Sequence, residues 1–366
     1  HGMTTIASGN MSVIDSLSNI WITPSGTDKG SLKPDEVVCV APDGTFVGQL
    51  KPSMEYPLHR AVYDARPDIR ALIHAHPPVL TSFSIVHRIP DTSVTGAWQD
   101  ICGTAGYAGY ATPGSDEMAE NVAAEFRKGH NEIIMENHAV VTGGKDMAEA
   151  LARLEALENC ARTTHAAGFI GEVMIPEHFK KDISVIPASN QFPRSVHDSG
   201  VAETGSALSP EEELLAEEIS RIAVRACNRG LFYGFCGTIS SRSNGDDFLI
   251  TRERISRYDI GKTGIARAGK LNTSPAFLLH REIYSRFPSV NSVITALPPY
   301  LMAFAVTGKE FDSRTIPESW LLLREVPLVP PGVLLPGSDG IFEKLTAGSQ
   351  VVIICNDSVL VTGASL

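Results

Sequence analysis

The feature that most constrains the fold is an internal repeat, because two halves of the chain carry the same motifs in the same order. The segment 56–63, YPLHRAVY, matches 277–284, FLLHREIY, and the segment 73–78, IHAHPP, matches 294–299, ITALPP. Three further pairs keep this order: Gly9 and Ser12 with Gly237 and Ser240, PGSD at 113–116 with 336–339, and VTG at 141–143 with 361–363. Chance could produce one such pair but not the ordered set, so the sequence predicts a tandem duplication.

The domain boundaries follow from the repeat and from a change in composition between its copies. The 366 residues are enough for two or three domains at about 150 residues each. We predict a first domain at 1–181 and a second at 209–366, joined by a linker at 182–208 that is rich in Ser, Pro and Gly. Ser209 begins a predicted helix, with Glu212 closing a capping box.

The two copies differ at their ends. A predicted helix precedes the second copy, and a predicted helix over 146–167 follows the shared motifs of the first. We therefore expect that the N-terminal helix of the first domain and the C-terminal helix of the second domain are missing from the chain.

Charge and composition limit the class of partner. The chain has 31 Lys and Arg against 42 Asp and Glu, a formal charge of −11, and no run of basic residues. Such a chain is a poor candidate for binding nucleic acid or an anionic membrane surface, although it can bind a small anionic substrate. The six cysteines lack C-x-x-C spacing, and no apolar stretch nears the ~20 residues of a membrane span, so we expect a soluble cytoplasmic protein with reduced thiols.

Within each repeat, short strand patterns alternate with helical ones, which predicts an α/β fold with helices on both faces of a sheet. The order of the strands cannot be read from this pattern. The predicted strands of the first copy are 20–23, 37–40, 71–74 and 133–135, and its predicted helices are 56–66, 116–128 and 146–167.

Three histidines form a candidate metal site. His74 and His76 lie two residues apart at the end of a predicted strand, so both imidazoles project from the same face. His138 follows another predicted strand and is the natural third ligand. Three histidines leave tetrahedral Zn²⁺ one open position for water or substrate. Each histidine taken alone is more typical of an ordinary surface, core or turn residue.

Further candidates are a carboxylate and a set of small polar residues. Glu55 opens the helix that carries His59 and Tyr63, and it could act as a fourth ligand and proton shuttle if the fold brings it to the metal. Taken alone, a glutamate in a first helical turn is usually a surface charge. Hydroxyls, an amide and approachable backbone N–H groups suited to a phosphate are offered by Gly9, Asn10, Ser25, Gly26 and Ser53.

The second copy acts as an internal control for these assignments. Framework positions such as Gly9, His59 and Tyr63 persist in it. The candidate functional residues do not: His74 becomes Thr295, His76 becomes Leu297, His138 becomes Ser358 (counted back from VTG), Glu55 becomes Ala276, Asn10 becomes Thr238 and 24–26 become 252–254. Their joint loss favours a functional over a merely structural role for the three histidines.

The motifs GNMS, TPSG, KPSME, HAHPP and ENHAVVTG together resemble the class II aldolase/adducin family. The resemblance implies an α/β/α sandwich around a mainly antiparallel sheet, present twice in tandem, with a Zn²⁺-type ion (or Mn²⁺ or Co²⁺) and often a fourfold-symmetric tetramer. It implies His74, His76 and His138 as metal ligands and Glu55 as the acid/base. It also implies a phosphate site at Gly9, Asn10, Ser25, Gly26 and Ser53.

The sequence departs from the family pattern in two places. Met54 stands where sugar-phosphate aldolases usually have a second serine, which removes one hydroxyl from the phosphate site. The tyrosine that such aldolases use as a proton donor has no matching motif, although Tyr107 and Tyr110 lie near the expected region.

The predicted function is retro-aldol cleavage of a ketose or ketose phosphate in the first domain, through a metal-stabilised enediolate. The alternatives are an epimerase, decarboxylase or dehydratase of the same family acting on a sugar or sugar-acid phosphate, and a non-catalytic adducin-like binding protein. The second domain lacks the metal ligands, and we expect it to stand in for a neighbouring subunit, so that two chains form a four-domain ring.

Overall fold

The computed structural model describes residues 2–4, 8–175, 208–245, 247–270, 273–274, 276–330, 340–346 and 348–366. These residues form two compact units, one from 1–93 and 101–165 and the other from 94–100 and 166–366. The predicted linker, apart from its last residue, and the PGSD motif of the second repeat lie outside the described residues. The domain boundaries at 181 and 209 therefore stay predictions.

The first unit is built on an eight-stranded sheet of order β4-β3-β2-β1-β5-β8-β7-β6. Its neighbouring strands are antiparallel except for the β6–β7 pair, which is parallel. The strands are β1 Asn10–Ile14, β2 Ile20–Ile22, β3 Val38–Val40, β4 Phe46–Val47, β5 Ala71–Ala75, β6 Gly106–Ala108, β7 Glu132–Met135 and β8 Val140–Gly144.

The helices of this unit are α1 Tyr56–Ala65, α2 Pro78–Ile85, α4 Asp116–Arg127 and α5 Met147–Ala167, whereas most of α3 Gly96–Cys102 lies in the segment 94–100 that belongs to the second unit. Helices α1 and α4 bury their apolar residues against one face of the sheet, where Val62, Val122 and Phe126 are fully buried beside Ile22 and Leu72. Burial of such side chains stabilises the unit by roughly 1.5–3 kcal/mol each relative to exposure. Helix α2 packs against β7, and Thr142 of β8 donates a hydrogen bond to the α5 carbonyl of Ala150 at 2.9 Å.

The second unit repeats this arrangement with a seven-stranded sheet of order β11-β10-β9-β12-β15-β14-β13, again antiparallel except for one parallel pair, β13–β14. Its strands are β9 Thr238–Asn244, β10 Asp247–Thr251, β11 Ile265–Arg267, β12 Ser292–Ala296, β13 Leu328–Val329, β14 Val351–Ile354 and β15 Val359–Gly363. Its helices are α6 Pro210–Asn228, α7 Phe277–Arg286, α8 Pro299–Thr307, α9 Pro317–Leu323 and α10 Gly340–Thr346.

Two apolar clusters show that both faces of the second sheet are covered. Ile239 and Leu249 face α6, whereas Phe248 and Ile250 face α7 and α10, as expected from the two-residue period of a strand. Helix α6 begins at the predicted capping box, in which the Ser209 hydroxyl accepts from the Glu212 N–H.

The predicted α/β/α architecture with a mainly antiparallel sheet, present twice, is confirmed. The predicted strands and helices end within one or two residues of the observed ones. The sequence missed β1, β4, β6, β8, α2 and α3 of the first repeat. It missed β1 because the GNMS segment looks like a turn, although Asn10–Ile14 forms a central strand. Among the described residues, no helix combines the length and apolarity needed to cross a membrane.

Candidate metal centre

The three histidines predicted as ligands meet in the first unit. His74 lies in β5, His76 follows that strand directly, and His138 lies in the turn between β7 and β8, two strands that continue the sheet from β5. Their ring centroids are 4.9, 5.1 and 5.2 Å apart, and one ring nitrogen from each lies within 4.8 Å of the other two. The structure therefore forms a group that could hold a metal ion.

The environment of the cluster keeps the imidazoles neutral. Burial, with repulsion from the neighbouring histidines, holds the pKa of His74 well below its usual range. Burial lowers the pKa of His76 to about 4 and also lowers that of His138. A neutral imidazole presents a lone pair to a cation, and the buried Nδ1 of His76 has no hydrogen-bond partner among the described residues. These side chains fit a divalent metal.

Glu55 adds a carboxylate to this cluster. It is the N-cap residue of α1, 8% exposed, and its Oε2 lies 3.1 Å from Nε2 of His74. Its Oε1 lies 3.7 Å from Nε2 of His138. The structure thus brings the predicted acid/base group to the three histidines, so the surface-charge alternative for Glu55 is wrong.

Asn10 lies behind the carboxylate rather than in an open cradle. It is 4% exposed, its side-chain nitrogen donates to Glu55 Oε2 at 2.6 Å, and its oxygen lies 2.5 Å from Nε2 of His59. Nδ1 of His59 is 2.6 Å from the Ser12 hydroxyl, which is 2.7 Å from the Tyr63 hydroxyl. A buried chain of side-chain hydrogen bonds therefore leads from Tyr63 to Glu55.

The other small residues predicted to bind phosphate lie on two adjacent loops and at the start of β1. The N–H of Ser25 donates to the Lys51 carbonyl at 3.1 Å, which places Ser25 and Gly26 beside the loop that carries Ser53. Gly26 has a φ of +70°, and a Cβ built on it would meet nothing within 4 Å. Ser53 is 8% exposed, and its hydroxyl accepts from the Glu55 N–H at 3.3 Å.

The two tyrosines near the expected proton-donor region differ in their environment. The Tyr107 hydroxyl donates to the Ser84 carbonyl at 3.1 Å, so this hydroxyl has a backbone partner. Tyr110 is 58% exposed, and its N–H donates to Glu136 at 2.8 Å. The described contacts assign neither hydroxyl to the histidine cluster.

The second unit shows what remains when the candidate residues are lost. Strand pairing places Thr295 opposite Leu360, as it places His74 opposite Val141. This register makes Asp357 the counterpart of His138, and Asn356 the counterpart of Asn137, with φ of +55° and +53° at the two asparagines. The prediction that Ser358 replaces His138 is therefore wrong by one residue, because β8 and β15 are offset from the VTG alignment.

The absence of the candidate ligands from the second unit does not depend on that shift. Thr295, Leu297 and Ala276 still replace two histidines and the carboxylate, and the remaining position carries Asp357. The group around His74 is the only one of three or more potential ligands found among the described residues.

The sequence did not predict the contacts that connect Ser12 and His59 to the candidate site, although Ser12 belongs to the GNMS motif. A signal was present, since both residues and Tyr63 recur in the second copy, and His59 and Tyr63 are four residues apart on one face of α1. Their recurrence indicated a framework role, and only the contact with Asn10 links that framework to Glu55.

Comparison with known proteins identifies the family. The family model described as the class II aldolase and adducin N-terminal domain matches residues 1–165 and again 217–366. An L-fuculose phosphate aldolase of Methanococcus maripaludis is 32% identical over 157 residues, which are 43% of this chain and 84% of the relative. A 3-oxo-tetronate 4-phosphate decarboxylase of Haemophilus influenzae is 29% identical over 165 residues, covering 44% of this chain and 78% of the relative.

Among solved structures, an L-fuculose 1-phosphate aldolase matches with 30% identity and a TM-score of 0.44, covering 49% of this chain and 85% of that one. Because the family model matches both segments, the chain belongs to the class II aldolase and adducin N-terminal domain family. It carries the family domain twice.

Proposed function

We propose that the first unit is a metal-dependent aldolase that cleaves a ketose or ketose phosphate by retro-aldol chemistry. The observation that carries this proposal is the meeting of three neutral imidazoles with a buried carboxylate 3.1 Å from one of them. His74, His76 and His138 would hold the ion, with Zn²⁺ favoured by an all-imidazole ligand set and Mn²⁺ or Co²⁺ as alternatives.

A bound divalent ion supplies Lewis-acid stabilisation of the enediolate that forms as the carbon–carbon bond breaks. Glu55 would move the proton at the carbon where that bond breaks and forms, because its Oε1 faces the histidine cluster. Burial of the carboxylate excludes water from the group that handles the proton. These roles use only the groups that the second unit has lost.

The phosphate would lie against the two adjacent loops. Ser25, Gly26 and Ser53 offer hydroxyls and an open backbone position there, and Gly9 brings the start of β1 beside His74. The relatives named above are described as acting on phosphorylated sugars or sugar acids, which supports a phosphorylated substrate. Met54 is 70% exposed and contributes no hydroxyl, so we expect fewer side-chain contacts to the phosphate.

The test is a substrate screen of the metal-loaded protein against ketose phosphates, free ketoses and sugar-acid phosphates. We expect about one metal ion per chain and release of an aldehyde from a ketose phosphate, lost in Glu55→Gln. A protein that binds no metal would contradict the proposal and support an adducin-like binding protein.

Decarboxylation of a sugar-acid phosphate is the second candidate, and the similarity to the Haemophilus influenzae protein favours it. Loss of carbon dioxide from a carbon next to a carbonyl would leave an enediolate that a bound metal could stabilise, and Glu55 could return a proton to that carbon, so the site geometry is equally compatible with it. Epimerase and dehydratase chemistry would use the same groups. The same screen separates these reactions, because a decarboxylase releases carbon dioxide, an aldolase an aldehyde, a dehydratase water and an epimerase no fragment.

We further propose that the protein associates with itself, with a dimer forming a four-domain ring as the favoured assembly, and that it acts in the cytoplasm. Helix α9 supports association, because none of its residues is buried and Leu321 and Leu322 are 65% and 75% exposed. The six free cysteines, four of them buried, are typical of a reducing compartment. We propose no nucleic-acid or membrane partner.

A further inference from the structure

The direction of each hydrogen bond in the buried chain can be derived from Glu55. A carboxylate only accepts, so the side-chain atom of Asn10 that faces Glu55 must be its NH₂ group. The Asn10 oxygen then faces His59, and it requires a proton on Nε2 of that imidazole. Nδ1 of the neutral ring is left as an acceptor, so the Ser12 hydroxyl donates to it.

At the end of this chain of hydrogen bonds that is farthest from Glu55, Tyr63 holds Ser12 and thereby the His59 ring in place. The Tyr63 hydroxyl lies 2.7 Å from the Ser12 hydroxyl and 2.9 Å from the Ser12 carbonyl, both on the central strand β1. His59 itself is fully buried on α1. Each polar atom of the imidazole therefore has one defined partner, and the ring has one favoured tautomer.

The second unit shows which part of this chain of hydrogen bonds is structural. Ser240, His280 and Tyr284 keep the same contacts, at 2.7 Å from hydroxyl to Nδ1 and 2.8 Å from hydroxyl to hydroxyl. Thr238 replaces Asn10, however, and bonds to Ser274 at 2.5 Å instead. Nε2 of His280 has no hydrogen-bond partner among the described residues.

The triad of serine, histidine and tyrosine therefore belongs to the fold, since it persists where the metal ligands are gone. The link from the imidazole through Asn10 to the carboxylate exists only in the unit with three histidines. A buried imidazole nitrogen without a hydrogen-bond partner is energetically costly. In the first unit Nε2 of His59 bonds to Asn10, whereas the equivalent Nε2 of His280 in the second unit has no such partner among the described residues.

We propose that His59 is a positioning residue: its Nε2–H holds the Asn10 amide, and Asn10 in turn holds the Glu55 carboxylate against the histidine cluster. Only the expected effect of His59 on turnover rests on the proposed function. The tautomer and the bond to Asn10 do not depend on which reaction the unit catalyses.

The lowered basicity of His59 is consistent with this role. Burial lowers its pKa to about 3, so the ring stays neutral throughout the physiological range. A neutral ring has one donor and one acceptor, as the chain requires. A protonated ring would have two donors, and the bond from the Ser12 hydroxyl would be lost.

Matched variants of the two units test the effect on turnover. His59→Phe and His280→Phe remove the same triad bond, so we expect a similar fall in the melting temperature. Only His59→Phe should lower kcat, and a displacement of the Glu55 carboxylate by about 1 Å should lower it by about 10- to 100-fold. KM and the amount of bound metal should stay nearly unchanged. His59→Gln retains an N–H donor for Asn10 and should recover most of kcat.

Two outcomes of this comparison would overturn the proposal. One is a folded His59→Phe variant with the kcat of the wild type. The other is an equal loss of kcat in His280→Phe, which would show that the triad acts through stability alone. If His59→Phe does not fold, the second measurement below decides.

The second measurement needs no substrate. Long-range proton–nitrogen correlation spectra of the metal-free protein should show His59 with Nε2 protonated and Nδ1 unprotonated. Asn10→Thr, which installs the residue found in the folded second unit, should abolish the single tautomer. A His59 signal with Nδ1 protonated, or one unaffected by Asn10→Thr, would refute the proposal even if the protein proved not to be an aldolase.

Discussion

At the scale of single residues, the candidate site depends on groups that are neutral because they are buried. The three imidazoles lie together at the end of β5 and in the turn between β7 and β8, where burial disfavours a proton on each of them and neighbouring histidines repel a proton on His74 and His76. The same burial leaves them with lone pairs that a cation can use, which makes the cluster costly to leave empty and favourable to fill.

We expect His76→Ala to weaken metal binding by at least about 100-fold and to abolish turnover, since two histidines and a carboxylate remain. Metal content after dialysis and a binding titration measure the first effect, and a turnover assay the second. His130→Ala is the matched control, because His130 lies outside the cluster and bonds to the Thr104 carbonyl at 2.7 Å. Unchanged metal content in His76→Ala would disprove the ligand assignment.

A second prediction at this scale concerns the dependence of stability on pH. Burial lowers the pKa of His280 from 6.5 to about 3 in the folded protein. Between these values the unfolded chain binds one more proton than the folded chain, so stability falls as the pH drops below about 6.5. His280→Gln should remove about 1.4 kcal/mol per pH unit from this slope. Urea unfolding at three pH values between 4 and 7 measures it, and parallel curves for wild type and variant would contradict it.

At the scale of elements, the site depends on how closely β1 approaches β5. Asn10 pairs with His74 in this antiparallel register. The pairing puts the Asn10 amide behind the Glu55 carboxylate and the His74 imidazole beside that carboxylate. Gly9 makes the approach possible, because its φ is +75° and a Cβ there would lie 2.7 Å from the His74 carbonyl oxygen.

Gly9→Ala should therefore destabilise the protein by about 1–3 kcal/mol and also weaken metal binding, since the strand carrying His74 must shift. Gly237→Ala is the control from the second unit, where φ is +98° and a Cβ would meet the Phe232 ring. We expect it to lower the melting temperature without changing metal affinity. Equal metal affinity in Gly9→Ala and wild type would show that β5 does not depend on this contact.

The same scale explains which elements could be predicted from the sequence. Periodic apolar residues predicted α1, α4 and α6 almost to their ends, because amphipathic helices carry their signal locally. Strand β1 escaped prediction, since it begins in a motif typical of turns. The one-residue shift at Asp357 escaped as well, because only the pairing of β12 with β15 fixes the register.

At the scale of the whole molecule, the two units share a fold and a framework, but among the described residues only the first carries a candidate metal site. Helix α9 of the second unit is exposed: none of its residues is buried, and Leu321 and Leu322 are 65% and 75% exposed. An exposed apolar helix of this kind is typical of a contact surface.

If a second copy of the chain covers α9, the double variant Leu321→Glu, Leu322→Glu should convert a dimer into a monomer. Two buried charges without partners cost more than an association of ordinary size can offset. Sedimentation or light scattering gives the mass, and Leu214→Glu, at a leucine 68% exposed on α6, is the control. A wild-type protein that is monomeric at all concentrations would rule out the ring.

The sequence by itself determined the duplication, the alternation of strands and helices, and the pairing of His74 with His76, because all of these depend on spacing along the chain. Tertiary structure decided what surrounds them. Asn10, Glu55 and His59 come from a strand and a helix separated by more than forty residues, and only the packing of α1 against the sheet brings their polar atoms within hydrogen-bonding distance. No local pattern encodes such a contact, since its geometry depends on strand order and register, which long-range pairing determines.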